Sequence, residues 1–169
     1  MTLHQSHVQP PTDNARTDVA VIGGGFAGTA AAITLARANR QVTLIDAGQP
    51  RNRFSEHAHG ILGMDGVPPM ELRDRGLAEF QSFGGTLVRA TTDTLSPADG
   101  GWLTTLSTGE ALRSRHVVVA TGITDRLPDV PGLRELWGTR VFHCPYCHGW
   151  EVRGHSIALI GGANQPFTA

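Results

Sequence analysis

The chain has 169 residues and a formal net charge of −1, with 14 Lys and Arg against 15 Asp and Glu. This balance excludes a protein whose main task is to bind nucleic acid, and 40% hydrophobic residues suffice for a buried core. The 21 glycines are about one residue in eight, above the usual share of about 7%. They cluster with Ala and Val, which indicates tight turns rather than linkers. The length allows about one ordinary globular domain.

The N-terminal region contains no apolar stretch long enough for a signal peptide or a membrane span. We therefore expect a cytoplasmic protein that acts away from membranes. Residues 1–17 lack apolar periodicity, which predicts a disordered leader. The two cysteines, Cys144 and Cys147, are too few for a disulfide-stapled mini-protein, because such a scaffold needs several pairs.

The first elements predict a βαβ unit. Residues 18–22 form a short β-branched run that ends in three glycines, and the Ala- and Leu-rich segment behind them favours a helix. Residues 41–46 again have a strand-like pattern. Two buried strands that are joined by a helix lie parallel in such a unit.

The middle of the chain predicts a loop, a helix and further strands. Residues 50–67 show no sustained period and form a loop of functional length, and a helix begins at Pro68-Pro69 and ends before Gly84. Residues 116–120 are an apolar run typical of a parallel central strand, buried on both faces, that rejoins the first sheet. Three short, partly alternating strands are expected to form an antiparallel meander: residues 86–90, 102–107 and 111–115.

The C-terminal part predicts the beginning of a second unit. Residues 128–132 contain two prolines and a glycine, and they form a stiff connector and a candidate domain boundary. Residues 156–160 have a strand pattern and run into Gly161-Gly162, which echoes the first glycine turn. A βαβ unit needs about 30 residues, so this second unit is begun and not finished.

The first glycine turn has the pattern of a dinucleotide-binding site. Gly23, Gly25 and Gly28 form GxGxxG between a strand and a helix: the first allows the tight turn, the second lets the backbone approach a diphosphate, and the third allows close packing. Asp46, at the end of the next strand, can accept hydrogen bonds from a ribose hydroxyl. The alternative is a purely structural turn, and the pattern does not distinguish FAD from NAD(P). The predicted fold class is α/β: a Rossmann-like βαβ sheet with an antiparallel β-meander and the start of a second nucleotide-binding domain.

The two cysteines form a CxxC motif, whose thiols are close enough to form a small-ring disulfide. This spacing favours a redox-active dithiol. Three alternatives remain: a zinc site that adds His143 and His148, a c-type haem attachment through CxxCH, and a pair of buried apolar cysteines.

His148 follows the second cysteine and is a candidate proton shuttle for thiol–disulfide exchange, since its ordinary pKa is about 6.5. The alternative is a surface histidine without a catalytic role. The remaining histidines of the folded part have no metal-ligand spacing and are expected to be structural or exposed: His57, His59, His116 and His155.

These motifs together resemble the low-molecular-weight thioredoxin reductase family of FAD- and NAD(P)-dependent pyridine nucleotide-disulfide oxidoreductases, in its N-terminal portion. The resemblance rests on GxGxxG near the N-terminus, a Val-Val-Val-Ala-Thr-Gly strand, and a CxxC ahead of a second glycine turn. It implies an FAD-binding domain whose first segment is residues 18–127. It also implies that residues 128–169 contain the linker, the CxxC segment and the beginning of a pyridine-nucleotide domain.

The resemblance also implies roles for individual residues. Cys147 would lie against the flavin ring, and Cys144 would attack the disulfide of the partner. The residues implied in cofactor binding are Gly23, Gly25, Gly28 and Asp46 at the ADP part of FAD, Thr121 and Gly122 beside the cofactor, and Arg51, Asn52 and Arg53 on the flavin-side loop.

The implied function is a flavin-dependent disulfide oxidoreductase that moves electrons between NAD(P)H, FAD and the CxxC dithiol. Its partner would be a thioredoxin-like protein or a small-molecule disulfide or dithiol, and the complete protein would be a homodimer. Two alternatives are an FAD-dependent dithiol oxidase that uses oxygen and a truncated, non-catalytic nucleotide-binding remnant. The sequence departs from the family pattern where His148 replaces an Asp and where Ala163 and Pro166 replace small residues of the second glycine turn. The rest of the nucleotide domain and the segment that completes the FAD site do not occur within these 169 residues.

Overall fold

A computed structural model describes residues 16–160 of the chain. The predicted leader lies almost wholly outside these residues, as does the second glycine turn. The described elements follow in chain order: β1 (Arg16–Ile22), α1 (Phe26–Arg37), β2 (Val42–Ile45), a 3₁₀ turn (Arg51–Phe54), α2 (Pro69–Ser82), β3 (Thr86–Val88), β4 (Thr92–Ala98), β5 (Gly101–Leu106), β6 (Ala111–Val119) and α3 (Pro145–His148). Strand β1 thus includes the last two residues of the predicted leader.

The six strands form one sheet in the order β3-β2-β1-β6-β5-β4. Strand β1 pairs in parallel with both β2 and β6, so that Val21 lies beside Leu44 on one side and Val118 on the other. Strand β5 pairs antiparallel with both β4 and β6. The predicted α/β class, with a Rossmann-like parallel part and an antiparallel meander, is confirmed.

The strands that form the meander differ from those predicted. Residues 86–88 pair in parallel with β2 and belong to the Rossmann-like part. The strands predicted over residues 111–115 and 116–120 form one strand, β6, which ends at Val119. The outer strand of the meander is β4, which the sequence analysis left unassigned.

Both faces of the sheet carry a hydrophobic core, because successive residues of a strand point to opposite faces. Val19 and Val21 of β1 pack with Leu77 and Phe80 of α2, together with small residues of α1. The opposite face buries seven residues: Ala20, Ile22, Ile45, Val88, Ala90, Leu106 and Leu112. The expected burial of residues 116–120 on both faces is wrong, because Val119 is 65% exposed where no described element covers it.

The C-terminal part forms little regular structure. Residues 128–132 form a connector, and the boundary placed there stays a prediction. The strand expected over residues 156–160 is absent, because no described segment lies beside it as a pairing partner, and Ile157, Leu159 and Ile160 are exposed. No helix within residues 16–160 has the length and apolar character needed to cross a membrane.

Candidate functional site

The site lies at the edge of the sheet where the parallel strands β1, β2 and β6 end. Backbone hydrogen bonds continue the sheet by one residue there: Gly23 N donates to Ile45 O (2.8 Å), Asp46 N to Val88 O (2.9 Å) and Ala120 N to Ile22 O (2.8 Å). Ligands of open α/β sheets bind beyond the carboxyl ends of the strands. The loops that follow these three strands therefore surround a common crevice.

The glycine turn between β1 and α1 is crowded at two of its motif positions and open at the third. Gly23 has φ 107°, and a Cβ there would lie 2.3 Å from the carbonyl oxygen of Ala120. A Cβ on Gly28 would lie 1.8 Å from the carbonyl oxygen of Gly23, so that position must remain a glycine for the helix to pack against the strand. A Cβ on Gly25 would meet no atom within 4 Å. Packing therefore requires glycine at positions 23 and 28, whereas the absence of a side chain at Gly25 leaves open space on the crevice side.

Asp46 is the acid predicted to meet a ribose, and its side chain is 5% exposed. Its carboxylate accepts a hydrogen bond from Gly48 N (3.0 Å) and forms ion pairs with Arg73 and Arg89. Burial alone would raise the pKa of Asp46, but the Gly48 N–H and the two guanidinium groups outweigh burial and hold that pKa below its ordinary value of 3.8. The carboxylate is therefore charged and fixed in orientation at the wall of the crevice.

The predicted flavin-side residues Arg51, Asn52 and Arg53 lie in the 3₁₀ turn and line the crevice. Arg51 donates to both carboxylate oxygens of Asp125, with Nε–Oδ2 at 2.8 Å and Nη2–Oδ1 at 2.5 Å. This bidentate pair lowers the pKa of Asp125. Arg53 instead covers the ring of Phe54, with its guanidinium carbon 4.1 Å from the ring centroid. The Arg51–Asp125 pair thus connects the segment after β2 with the segment after β6.

A cleft of about 810 Å³ joins these parts. Its volume lies within the range of small-molecule and cofactor sites. Thr121 and Gly122, which follow β6, line it together with the glycine turn and Asp46, and Cys147 and His148 line its far part. The structure therefore brings the predicted cofactor-binding residues, except Gly28, and one of the two thiols to the same cleft.

The dithiol lies at helix α3. Cys144 precedes the helix and Cys147 lies within it, and Cys147 Sγ donates to Cys144 Sγ over 2.7 Å. Burial would raise the pKa of Cys144, but the Cys147 thiol, the backbone N–H groups of Cys147 and Tyr146, and the charge of Arg51 together lower that pKa below 9.0. Burial and the hydrogen bond to Cys144 raise the pKa of Cys147 to about 11. Cys144 is consequently the thiol that ionises first.

Two histidines flank the dithiol. The His148 ring stacks on Phe142 at 4.3 Å between centroids, and the His143 ring stacks on Trp137 at 5.6 Å. Among residues 16–160, no group of three or more His, Cys, Asp or Glu side chains is arranged to hold a metal ion. The zinc alternative therefore has no geometric support in the described part of the chain.

Replacing Arg51 with glutamine should raise the pKa of Cys144, since the guanidinium charge favours the thiolate. We expect iodoacetamide to alkylate Cys144 roughly two- to fivefold more slowly at neutral pH in Arg51→Gln than in the parent protein. The matched control is Arg53→Gln, from the same turn. Equal rates in the parent and Arg51→Gln would contradict the charge effect.

Residues 17–164 match the family model described as pyridine nucleotide-disulphide oxidoreductase. The chain belongs to this family. Its members are flavin-dependent enzymes that use FAD and a pyridine nucleotide. The family thus fits a chain in which a GxGxxG crevice and a CxxC motif occur together.

Relatives and solved structures support this membership. Thioredoxin reductase sirT of Leptosphaeria maculans is 37% identical over 145 residues, which are 83% of this chain and 44% of that protein. Thioredoxin reductase of Bacillus subtilis (strain 168) is 29% identical over 151 residues, with coverage of 88% and 47%. The crystal structure of HlmI superposes with a TM-score of 0.78 at 45% identity and covers 85% of this chain and 46% of that chain. The chain therefore spans a little under half the length of these relatives.

Four residues outside the predicted set contact residues of the site: Arg73, Arg89, Asp125 and His59. Arg73 had a detectable signal, because it occupies the same buried helical face as Leu77 and Phe80. Arg89 and Asp125 had no such signal, because their partners are distant in sequence. His59 had none either, because its partner Asp65 is near in sequence but His148 and Glu151 are distant. His59, expected to be structural or exposed, lies beside His148, with 6.4 Å between ring centroids.

Proposed function

We propose that the chain supplies the flavin crevice and the redox dithiol of an FAD-dependent thiol–disulfide oxidoreductase. Its substrate would be a disulfide of a thioredoxin-like protein or of a small molecule, and NAD(P)H would be the electron donor. In this proposal residues 18–127 are the first segment of the FAD domain and residues 128–169 begin the pyridine-nucleotide domain. The observation that carries the proposal is that Cys147 lines the same cleft as the glycine turn.

The described residues fit the ADP part of FAD. The open space at Gly25 and the N-terminus of α1, with its unpaired N–H groups, suit a diphosphate. The charged Asp46 suits a ribose hydroxyl, and Thr121 and Gly122 would flank the cofactor farther along the cleft. Bound FAD, after it has received two electrons from NAD(P)H, would supply the electron pair that reopens the Cys144–Cys147 disulfide.

The thiols would carry out the exchange with the substrate. The Cys144 thiolate attacks one sulfur of the substrate disulfide, which forms a mixed disulfide and releases the other substrate sulfur as a thiolate. The Cys147 thiol loses its proton and attacks the Cys144 sulfur. This second step releases the remaining substrate thiolate and leaves a Cys144–Cys147 disulfide, so two electrons have moved from the dithiol to the substrate. His148 would accept and return the protons that these steps exchange.

Replacing Gly25 with alanine should weaken FAD binding by at least about tenfold, because the added methyl group would occupy space that the diphosphate needs. The fold should persist, since Gly25 has φ −75° and its Cβ would meet no protein atom. Loss of an N-cap glycine costs at most about 1 kcal/mol. Titration of the protein with FAD, followed by flavin fluorescence, measures the affinity, and thermal unfolding serves as the control. Unchanged FAD affinity would contradict the proposed diphosphate position.

The direction of electron flow needs a separate experiment on the FAD-loaded protein. In the reductase direction, NADPH without oxygen should bleach the flavin absorbance, and a disulfide substrate should restore it. If only a dithiol bleaches the flavin and oxygen restores it, the protein is instead a dithiol oxidase. A protein that binds no FAD would overturn both versions and favour the non-catalytic alternative.

A further inference from the structure

His59 is held in place by a loop that is closed by its own hydrogen bonds. Ala58 N donates to Val67 O (2.9 Å), and Gly66 N donates back to Ala58 O (2.9 Å). The neighbouring His57 bonds through Nδ1 to the Gly66 carbonyl oxygen (3.0 Å). The His59 side chain is 17% exposed. Its position is therefore set by backbone pairing rather than by chance contact of a surface side chain.

Two carboxylates from different segments face the same nitrogen of His59. Nδ1 lies 3.2 Å from Asp65 Oδ1, within the loop, and 3.7 Å from Glu151 Oε1, beyond α3. A carboxylate only accepts hydrogen bonds, so this nitrogen carries a proton and donates it. His59 thus connects the loop after β2 with the segment that follows the dithiol.

The His148 ring lies edge-on to His59 at an interplanar angle of 79°. The His148 ring also stacks on Phe142, and its Nδ1 is buried without a hydrogen-bond partner among the described residues. Burial and the proximity of His59 lower the pKa of His148, whereas Glu151 and the Cys144 carbonyl raise it. The ionisable groups that surround the two rings are His57, Asp65, His143, Cys144 and Glu151.

We propose that His59, held by Asp65 and Glu151, is a positioning residue that fixes the His148 imidazole beside the dithiol and controls when it carries a proton. This inference rests on the proposed function, in which His148 exchanges protons with the thiols. When Cys144 loses its proton to neutral His148, a thiolate and an imidazolium form. A second charge on the nearby His59 disfavours that imidazolium, and the carboxylate of Glu151 favours it.

The test compares three variants of the FAD-loaded protein by NMR titration of the His148 ring and by the pH profile of turnover. His59→Gln should move the half-titration pH of His148 upward, and Glu151→Gln should move it downward. The acidic limb of the turnover profile should move in the same directions. Glu56→Gln, an exposed side chain of the same loop, is the matched control and should move neither the His148 titration nor the turnover profile. A merely structural role of His59 would not produce opposite shifts in the first two variants.

An unmoved His148 titration in both His59→Gln and Glu151→Gln would overturn the inference. The failure of the proposed function has a different signature: either the parent protein binds no FAD, or Cys144→Ser retains disulfide turnover whatever His148 does. If Cys144→Ser is inactive and the His148 titration is unmoved, only the role of His59 is wrong.

Discussion

Replacing Cys144 with serine should reduce disulfide turnover at least about 10³-fold, because a neutral hydroxyl cannot replace the attacking thiolate. We assign the attack to Cys144 because its pKa is lowered below 9.0, whereas that of Cys147 is raised to about 11. Turnover of a disulfide substrate by the FAD-loaded protein measures the effect. The FAD content of the variant should equal that of the parent, since Cys144 does not line the cleft.

The matched variant, Cys147→Ser, should fail at a different step. Cys144 can still attack, so one equivalent of substrate thiol is released and a mixed disulfide on Cys144 accumulates, which mass spectrometry detects. Cys144→Ser should trap no such adduct under the same conditions. A mixed disulfide on Cys147 in Cys144→Ser would reverse the assignment, and full turnover in either variant would refute a dithiol mechanism.

Replacing Asp46 with alanine should lower the free energy of unfolding by about 3–5 kcal/mol, the usual effect of removing one partner of a buried ion pair. Both Asp46 and Arg73 have side chains that are 5% exposed. The variant leaves the Arg73 guanidinium buried and without this carboxylate. Urea denaturation at neutral pH measures the difference.

Two further measurements separate this ion pair from surface electrostatics. Asp74, the other carboxylate that contacts Arg73, is 65% exposed, so Asp74→Asn should cost at most about 1 kcal/mol. The folded-state pKa of Asp46 is depressed, so its contribution is present above the unfolded value of about 3.9 and is lost as the pH falls through the lower folded value. The difference in the free energy of unfolding between the parent and Asp46→Ala should therefore become smaller below about pH 4. Equal free energies of unfolding for the parent and Asp46→Ala at neutral pH would contradict a stabilising Asp46–Arg73 ion pair.

The parallel part of the sheet follows from local patterns in the sequence. Residues 18–22 and 41–46 are short apolar runs on either side of a helix, and such runs occupy adjacent parallel strands. The sequence pattern does not predict strand β4, because Thr92–Ala98 contains Asp93 and Pro97 and has no buried face. An edge strand tolerates proline, since the missing N–H is not needed by an inner neighbour.

The antiparallel partners and the side-chain pairs of the site depend on long-range contacts. The apolar pattern of residues 86–90 indicates a strand but does not specify its neighbour, which is β2 rather than the meander. Arg51 and Asp125 are 74 positions apart, and their pairing follows only from the convergence of two loops. The crowding at Gly28, by contrast, is local, because it comes from the carbonyl oxygen of Gly23 within the same motif, whereas Gly23 is crowded by Ala120 at the end of β6.

The way in which Asp46 is held has a thermodynamic consequence for any hydroxyl group that meets it. A free carboxylate side chain loses rotational entropy when a ligand immobilises it, and this loss weakens association. Here Gly48 and the two arginines have already frozen the rotamer during folding. A hydroxyl group bound at this corner of the crevice would therefore meet a rigid acceptor, and any selectivity would come from geometry rather than from induced rearrangement.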